Sequence, residues 1–156
     1  MKPAASAEVP PSLRPLAQLV IKQGVALGGL PPAQQAWALA LVWAGLSGNT
    51  LDEPGINRAL KAQLAGPAAF LRTDHVELRR WLVDAGWLQR DGYGRAYQRT
   101  RVDALPGTMQ ALAQVLCELD APAWAQAQRQ AQAAARAGRR AAWQDRMSGD
   151  ATGTGA

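Results

Sequence analysis

The stretch from Asp74 to Tyr97 constrains the fold of this chain more than any other part, and it reads DHVELRRWLVDAGWLQRDGYGRAY. Glu77 follows Asp74 by three residues, which is an aspartate version of the capping box that begins helices. The apolar residues that follow recur at i, i+3, i+4 and i+7 and define one buried face. Gly86 stands where a left-handed residue ends such a helix. The sequence therefore predicts a helix from Asp74 to Ala85 with well-defined ends.

The residues after that helix predict a small β-hairpin. Two short runs of strand character, 87–90 and 95–101, flank Asp91-Gly92-Tyr93-Gly94, whose glycines suit a hairpin loop. A capped helix followed at once by a hairpin is typical of the second half of a winged helix-turn-helix, in which the hairpin is the wing. We therefore expect a mainly helical α+β fold, a winged helix-turn-helix with a small antiparallel β-hairpin wing plus N-terminal and C-terminal helices.

The segments before this stretch predict three further helices. Ser12 can cap a first helix that ends at Gly28-Gly29. Residues 33–46 are apolar on nearly all sides, as expected of a central helix that its neighbours cover. The third helix has its N-cap at Asp52 and ends at Gly66-Pro67.

Two more helices are predicted after the hairpin. From Pro106 to Leu119 the apolar residues recur at helical spacing, which predicts an amphipathic helix that packs either on this domain or on a second copy. Residues 124–147 are rich in alanine, glutamine and arginine, and such a helix is stabilised mainly by a partner. Its arginines form either a solvated face, which we expect, or a basic arm across a DNA backbone. They are Arg129, Arg136, Arg139, Arg140 and Arg146.

Length and composition indicate one domain with flanking segments. A chain of 156 residues with 48% hydrophobic residues can bury one core of ordinary size and is too short for two independent ones. The predicted organisation is a disordered leader at 1–11, an accessory helix at 12–29, a winged-helix-like domain at 30–103, a C-terminal helical extension at 104–147 and a disordered tail at 148–156.

Charge and cysteine content limit the class of protein. The formal net charge is +5 and the isoelectric point is near 10.1, which suits an acidic partner such as nucleic acid. The single cysteine cannot form an internal disulfide, and the N-terminus lacks the order of a signal peptide, so a cytoplasmic location is expected. The most apolar run, residues 36–46, is shorter than the roughly 20 residues that span a bilayer, so no membrane role is expected.

Residue types that carry catalysis are scarce. His75 is the only histidine and Cys117 the only cysteine, so no metal set with the usual ligand numbers can form within one chain. We interpret His75 as a first-turn helix residue and Cys117 as a small packed side chain. The glycines around Tyr93 lack the following helix that phosphate-binding loops require. We therefore expect a protein that is not an enzyme and that has no metal, cofactor or small-molecule ligand.

Several motifs of the predicted domain also occur together at a specific spacing. They are Leu30-Pro31, Glu53, Ile56-Asn57, Leu60, Asp74, Leu78-Arg79-Arg80, Leu82-Val83-Asp84, Gly86, Leu88, Arg90, Gly94 and Tyr97. This pattern resembles a bacterial family, the domain of unknown function numbered two thousand and eighty-seven. The resemblance implies a winged-helix-like domain, found in hypothetical proteins and beside regulatory DNA-binding domains, with no established activity and no catalytic residues. The chain departs from the family at Pro54-Gly55, where a polar pair is more usual, and in a longer segment between Asn57 and Asp74.

The leading functional hypothesis is DNA binding in transcriptional regulation. Val76, Arg79, Arg80 and Val83 project away from the buried face of the helix that begins at Asp74. An arginine can bond guanine bidentately, and a valine methyl can contact thymine. We expect the arginines of the hairpin to hold phosphate. The residues assigned to contact with double-stranded DNA are Arg58, Arg79, Arg80, Arg90, Arg95, Arg99 and Arg101.

The alternative is a non-enzymatic winged-helix module for protein–protein interaction or homodimerisation. Asp74, Glu77 and Asp84 outnumber the arginines on the same helix and repel phosphate, and exposed valines suit a protein contact. The fold alone does not choose between the two functions, because winged helices serve both. The residues assigned to such an interface are Val76, Val83, Leu112, Leu116, Leu119 and Trp124.

Overall fold

A computed structural model of the chain describes residues 13–93 and 95–152. Its helices are α1 (Arg14–Val20), α2 (Pro32–Ala44), α3 (Glu53–Ala65), α4 (His75–Asp84), α5 (Gly107–Cys117) and α6 (Ala121–Thr152). Its strands are β1 (Leu51–Asp52), β2 (Leu88–Arg90) and β3 (Ala96–Arg99), and short 3-10 helices lie at Leu27–Gly29 and Val102–Ala104. This architecture confirms the predicted mainly helical α+β fold with a small antiparallel sheet. The predicted leader at 1–11, the proposed cap Ser12 and the loop residue Gly94 lie outside the described residues.

Helix α2 lies at the centre of the core, as its apolar sequence predicts. The seven consecutive residues from Trp37 to Trp43 are buried, and α2 contacts α1, α4, α5 and α6. The indole of Trp43 packs against Trp87 with ring centroids 5.8 Å apart, and its N–H donates to the Thr100 carbonyl at 2.8 Å. Because the buried indole N–H has a partner, Trp43 can join α2 to the end of the hairpin without a polar penalty.

The N-terminal helix is shorter than predicted, and its apolar side chains pack in the core. Helix α1 ends at Val20 instead of continuing to Gly28, and the chain turns at Gly24, where φ is +64°. Leu16 and Leu19 are buried in the main core. The apolar spacing was compatible with one long helix, but the chain leaves the helical conformation after Ile21.

The segment after α1 gains a pairing that a longer helix would prevent. The Val25 N–H donates to the Phe70 carbonyl at 2.8 Å, and the Val25 carbonyl accepts from the Arg72 N–H at 2.8 Å. Val25 and Leu71 thereby form a parallel bridge. This bridge joins the N-terminal segment to the connection between α3 and α4, and it satisfies backbone groups that would otherwise be buried without partners.

The sheet has three strands, one more than the hairpin that the sequence predicts. The strand order is β1-β3-β2 and both pairings are antiparallel. In the ladder Leu51 and Arg90 both lie opposite Tyr97, and Leu88 lies opposite Arg99. Cross-strand partners share a face of the sheet, so these side chains lie on one face. The sequence did not reveal β1, because two residues carry no alternating pattern.

Helices α3 and α4 begin at the predicted aspartates. The Asp52 carboxylate accepts from the Gly55 N–H at 2.8 Å, and the Asp74 carboxylate accepts from the Glu77 N–H at 2.7 Å. The second half of the predicted capping box differs, because the Glu77 carboxylate accepts from the Thr73 hydroxyl at 3.0 Å. The start of α4 is therefore set by one aspartate cap and a neighbouring threonine contact.

The end of α4 confirms the predicted glycine stop. Gly86 has φ +88°, its N–H donates to the Val83 carbonyl at 3.1 Å, and the Trp87 N–H donates to the Leu82 carbonyl at 2.9 Å. These two bonds form a Schellman motif, which caps the last carbonyls of a helix. Leu82 and Trp87 are both buried, so the motif turns the chain from α4 directly into β2.

Helix α5 packs on this domain. It contacts α2, and Ala113 and Leu116 are buried in the shared core. Of the two arrangements that the sequence left open, packing on the domain is the one observed. Leu116 is 1% exposed and so cannot also contact a second copy.

Helix α6 is longer than predicted. It begins at Ala121 and includes Pro122 in its first turn, where proline is tolerated, so Pro122 does not interrupt it. It continues to Thr152, within the segment predicted as the tail, while 153–156 lie outside the described residues. Within the described chain none of the helices combines the length and apolarity needed to cross a membrane.

Candidate nucleic-acid interface

A cleft of about 270 Å³ lies between the outer face of α4 and the sheet. The helix contributes residues at i, i+3, i+4 and i+7, which share one face, and the sheet contributes the end of β2 and the middle of β3. The lining residues are Val76, Arg79, Arg80, Val83, Asp84, Arg90 and Tyr97. The fold therefore brings together side chains that the sequence assigned separately to a helix face and to a wing.

Arg79 is held in the floor of this cleft by contacts to three elements. Its Nη1 donates to the Asn57 side-chain carbonyl at 2.7 Å and lies 3.6 Å from a Glu53 carboxylate oxygen. Its guanidinium lies 5.2 Å from the ring centroid of Tyr97, within the range of a cation–π contact. The side chain is only 18% exposed. Arg79, predicted to contact DNA, thus joins α3, α4 and β3, while one face of its guanidinium stays within the cleft.

The partners of Arg79 on α3 were missed by the sequence prediction. Asn57 was expected to point outward, but it is half-buried and accepts the hydrogen bond from Arg79. Glu53 lies four residues before Asn57, and this i, i+4 spacing places both side chains on one face of α3. That spacing is the signal from which the pairing with α4 could have been found. Arg58, the α3 residue assigned to DNA, is exposed.

Arg80 and Arg90 line the cleft with exposed side chains. Glu77 and Asp84 lie three and four residues from Arg80 on α4, but neither carboxylate is within ion-pair distance of it. Glu77 instead accepts from the hydroxyl of Thr73. Among the described residues neither arginine forms an ion pair, so both guanidinium groups are able to bind an anion.

The loop of the hairpin presents Arg95. The Asp91 carboxylate accepts from the N–H groups of Tyr93 at 3.2 Å and Arg95 at 2.8 Å, which shapes the loop locally. The guanidinium of Arg95 lies 5.9 Å from the ring centroid of Tyr93, whose side chain is 85% exposed. Arg95 therefore keeps the exposed position that the sequence predicts.

Arg99 and Arg101 do not continue an exposed row of arginines. Arg99 lies two residues after Tyr97 in β3 and shares its face of the sheet, but its side chain reaches the C-terminal end of α2. Its Nη1 donates to the carbonyls of Trp43 at 3.3 Å and Leu46 at 2.9 Å, and its guanidinium lies 4.7 Å from the Trp43 ring centroid. A cation at the C-terminal end of a helix bonds carbonyls that have no partner in the helix. This contact corrects the prediction that Arg99 stands free for phosphate.

Arg101 lies beyond the end of β3, which stops at Arg99 rather than at residue 101 as predicted. It is exposed and forms an ion pair with Asp103 at 3.2 Å. A second groove, of about 510 Å³, runs past these residues between β3 and α5. Among the described residues of this part of the domain, four arginines are exposed and form no ion pair with a carboxylate. They are Arg58, Arg80, Arg90 and Arg95.

The residues assigned to a protein interface are mostly used within the chain. Val76 is 43% exposed, whereas Val83 is half-buried and Leu116 is buried. The half-buried side chains that pack against the core of the same chain are Val83, Leu112, Leu119 and Trp124. On the outer face of α4 the exposed apolar surface is therefore limited to Val76.

His75 is half-buried in the first turn of α4, as interpreted from the sequence. Cys117 is exposed at the end of α5, which corrects its interpretation as a packed side chain. Within residues 13–93 and 95–152 no group of three or more histidine, cysteine, aspartate or glutamate side chains is placed to hold a metal ion.

Comparison with known families identifies the segment that contains the cleft. Residues 32–99 match the family described as an uncharacterized protein conserved in bacteria (DUF2087). The match confirms the resemblance derived from residues 30–99, and it includes every side chain that lines the cleft. Helices α5 and α6 follow the matched segment. No curated protein and no solved structure shows significant similarity to the chain.

Proposed function

We propose that this chain is a non-enzymatic DNA-binding protein of transcriptional regulation, in which α4 and the hairpin contact duplex DNA. The observation that carries this proposal is the pair Arg80 and Arg90 along the cleft, both exposed and neither paired with a carboxylate. Phosphate contacts position a protein on DNA, and arginine is well suited to them because its planar fork matches the phosphate oxygens.

The two sides of the cleft have different roles in this proposal. On α4, Arg80 reaches a guanine edge or a phosphate, and the exposed methyl groups of Val76 contact thymine. On the hairpin, Arg90 and Arg95 hold phosphates of the flanking backbone. The order of elements from α2 through β1, α3 and α4 to the β2-β3 hairpin is compatible with a winged helix-turn-helix, which places such a helix at the groove.

Arg79 is a positioning residue in this arrangement. Its bond to Asn57 and its stacking on Tyr97 keep α4, α3 and the sheet in one relative orientation. A preoriented α4 loses less conformational entropy when it binds than a mobile helix would. Asp84 lines the C-terminal side of the cleft and repels phosphate there, so we expect the contact to centre on Arg80 and the hairpin.

The test is an unbiased selection of duplexes from a random pool, followed by fluorescence anisotropy titration of those recovered. Three phosphate contacts correspond to a loss of roughly 40-fold in affinity between 50 and 200 mM NaCl. We expect the triple variant Arg80→Gln, Arg90→Gln, Arg95→Gln to lose most of this salt dependence. The matched control is Arg14→Gln, Lys22→Gln, Arg72→Gln, which removes the same charge from exposed positions elsewhere. An empty selection, or equal binding by the two triple variants, would reject the proposal.

The protein-interaction alternative has less support on this face. A protein contact needs a contiguous apolar patch, and Val76 is the one large apolar side chain that is exposed on α4. If the selection is empty and light scattering shows a dimer that Val76→Ser disrupts, the alternative replaces DNA binding.

A further inference from the structure

The distal part of α6 is exposed to solvent. The helix packs on α1 and α2 through its first turns, where Ala121 and Ala125 are buried. From residue 133 to residue 149 every side chain is exposed. A helix of this length extends about 25 Å at 1.5 Å per residue. We call residues 133–149 the distal arm.

The arginines of the distal arm are segregated on one face. At 100° per residue its four arginines fall within an arc of about 120° around the helix axis. They are Arg136, Arg139, Arg140 and Arg146. Trp143 and Met147, the large apolar side chains of the arm, lie in the same arc and are 55% and 52% exposed. The opposite side carries alanines, Gly138, Gln144 and Asp145.

This segregation is unfavourable for a helix that is only solvated. Arg136 lies three residues before Arg139 and four before Arg140, and like charges at these spacings destabilise a helix by about 0.2–0.5 kcal/mol per pair. The carboxylate of Asp145 lies on the other side of the helix, and within residues 13–93 and 95–149 no carboxylate forms an ion pair with any of the four arginines. An anionic partner along this face would remove the repulsion.

The chemistry of the face favours one class of partner. A second copy would bring the same arginines together, so charge opposes pairing through this face. A lipid surface would gain only two large apolar side chains, Trp143 and Met147, which is little for an interfacial helix. A nucleic-acid backbone offers phosphates spaced along its length, which arginines on one helix face can bind.

We propose that the distal arm is a second nucleic-acid contact, which binds backbone phosphates of duplex DNA. This inference rests on the proposed function for the class of ligand. The arm covers about seven base pairs, given its length of about 25 Å and a rise of 3.4 Å per base pair.

The test measures the slope of log affinity against log salt concentration for a 30-base-pair duplex of mixed sequence. The arm variant is Arg136→Gln, Arg139→Gln, Arg140→Gln, Arg146→Gln in the full chain. Each phosphate contact that is lost lowers the slope by about one unit. We expect a reduction of two to four units in the arm variant. The matched control, Arg14→Gln, Lys22→Gln, Lys61→Gln, Arg72→Gln, removes the same charge from exposed positions of the domain and should change the slope by less than one unit.

A second pair of measurements separates this inference from the proposed function. If Arg80→Gln, Arg90→Gln binds like the wild type while the arm variant loses slope, the arm contact stands and the role of the cleft fails. If the cleft variant loses binding while the arm variant matches its control, the arm inference is overturned. It is also overturned if the wild type binds no duplex at 50 mM NaCl, or if the arm variant loses binding to anionic vesicles but not to DNA. Far-ultraviolet circular dichroism should show that all variants keep the wild-type fold.

Discussion

The cleft beside α4 and the distal arm of α6 both display arginines, but the surroundings of these arginines differ. In the cleft Arg79 is hydrogen-bonded and stacked, and nearby Arg99 bonds carbonyls at the end of α2. In the distal arm no arginine forms an ion pair with a side chain of residues 13–93 or 95–149. The comparison shows that a count of arginines does not measure the charge that a surface can offer to a ligand, because packing engages some guanidinium groups and leaves others exposed.

The largest expected effect compares two tryptophans, one from each region. Trp87 is 1% exposed and packs on Trp43 behind the cleft, whereas Trp143 in the distal arm is 55% exposed. We expect Trp87→Ala to lower the free energy of unfolding by about 3–5 kcal/mol, because it leaves a cavity in the core. Trp143→Ala should change it by no more than about 0.5 kcal/mol. Urea denaturation measures both, and similar losses for the two variants would show that the arm packs on the domain in solution.

The next effect compares two adjacent arginines on α4. Arg79→Ala removes a largely buried, charged hydrogen bond to Asn57, so we expect a loss of about 1–3 kcal/mol in the free energy of unfolding. Arg80→Ala, at an exposed position, should be nearly neutral for stability. Arg79→Lys is the sharper control, because an ammonium keeps the charge but not the planar stacking on Tyr97. A neutral result for Arg79→Ala would mean that α3 and α4 are held together without it.

The smallest effect compares two glycines. Gly86→Ala places a side chain at φ +88°, where the nearest atom, from Met109, is 3.9 Å away. Because there is no clash, the loss in the free energy of unfolding is conformational, about 1–2 kcal/mol. Gly138→Ala in the distal arm meets no atom within 4 Å and replaces a poor helix former, so the arm should become more helical. Thermal unfolding checks the first substitution and circular dichroism checks the second. A stabilising effect of Gly86→Ala would contradict the left-handed end of α4.

Local signals predicted the elements that they specify directly. Asp52 and Asp74 cap helices, Gly86 ends α4, and residues 33–46 contain the central helix, since each of these features depends on a few neighbouring residues. Features that depend on residues distant in sequence were not predicted. The early end of α1 follows from pairing with residues near Phe70, and β1 exists because β3 lies beside it.

In the candidate site, too, local features were predicted from the sequence and contacts between distant residues were not. The two-residue period of a strand places Tyr97 and Arg99 on one face, but no periodicity tells whether a side chain of that face meets solvent or another element. In the structure Arg99 bonds the carbonyls of Trp43 and Leu46. Likewise the spacing on α4 placed Arg79 and Arg80 on its outer face. The positions of α3 and β3 decide that Arg79 is held by contacts and that Arg80 stays exposed.

The sequence by itself determined the helix caps, the glycine stop, the hairpin and the family resemblance of residues 32–99, because these are properties of short segments and of residue spacing. The tertiary structure alone decided which arginines remain able to bind an anion. Packing brings Asn57 and Tyr97 to Arg79 and the carbonyls of α2 to Arg99, while Arg80, Arg90 and the arginines of the distal arm have no such neighbours. The physical reason is that hydrogen bonding and burial of a guanidinium depend on groups distant in sequence, which local patterns do not encode.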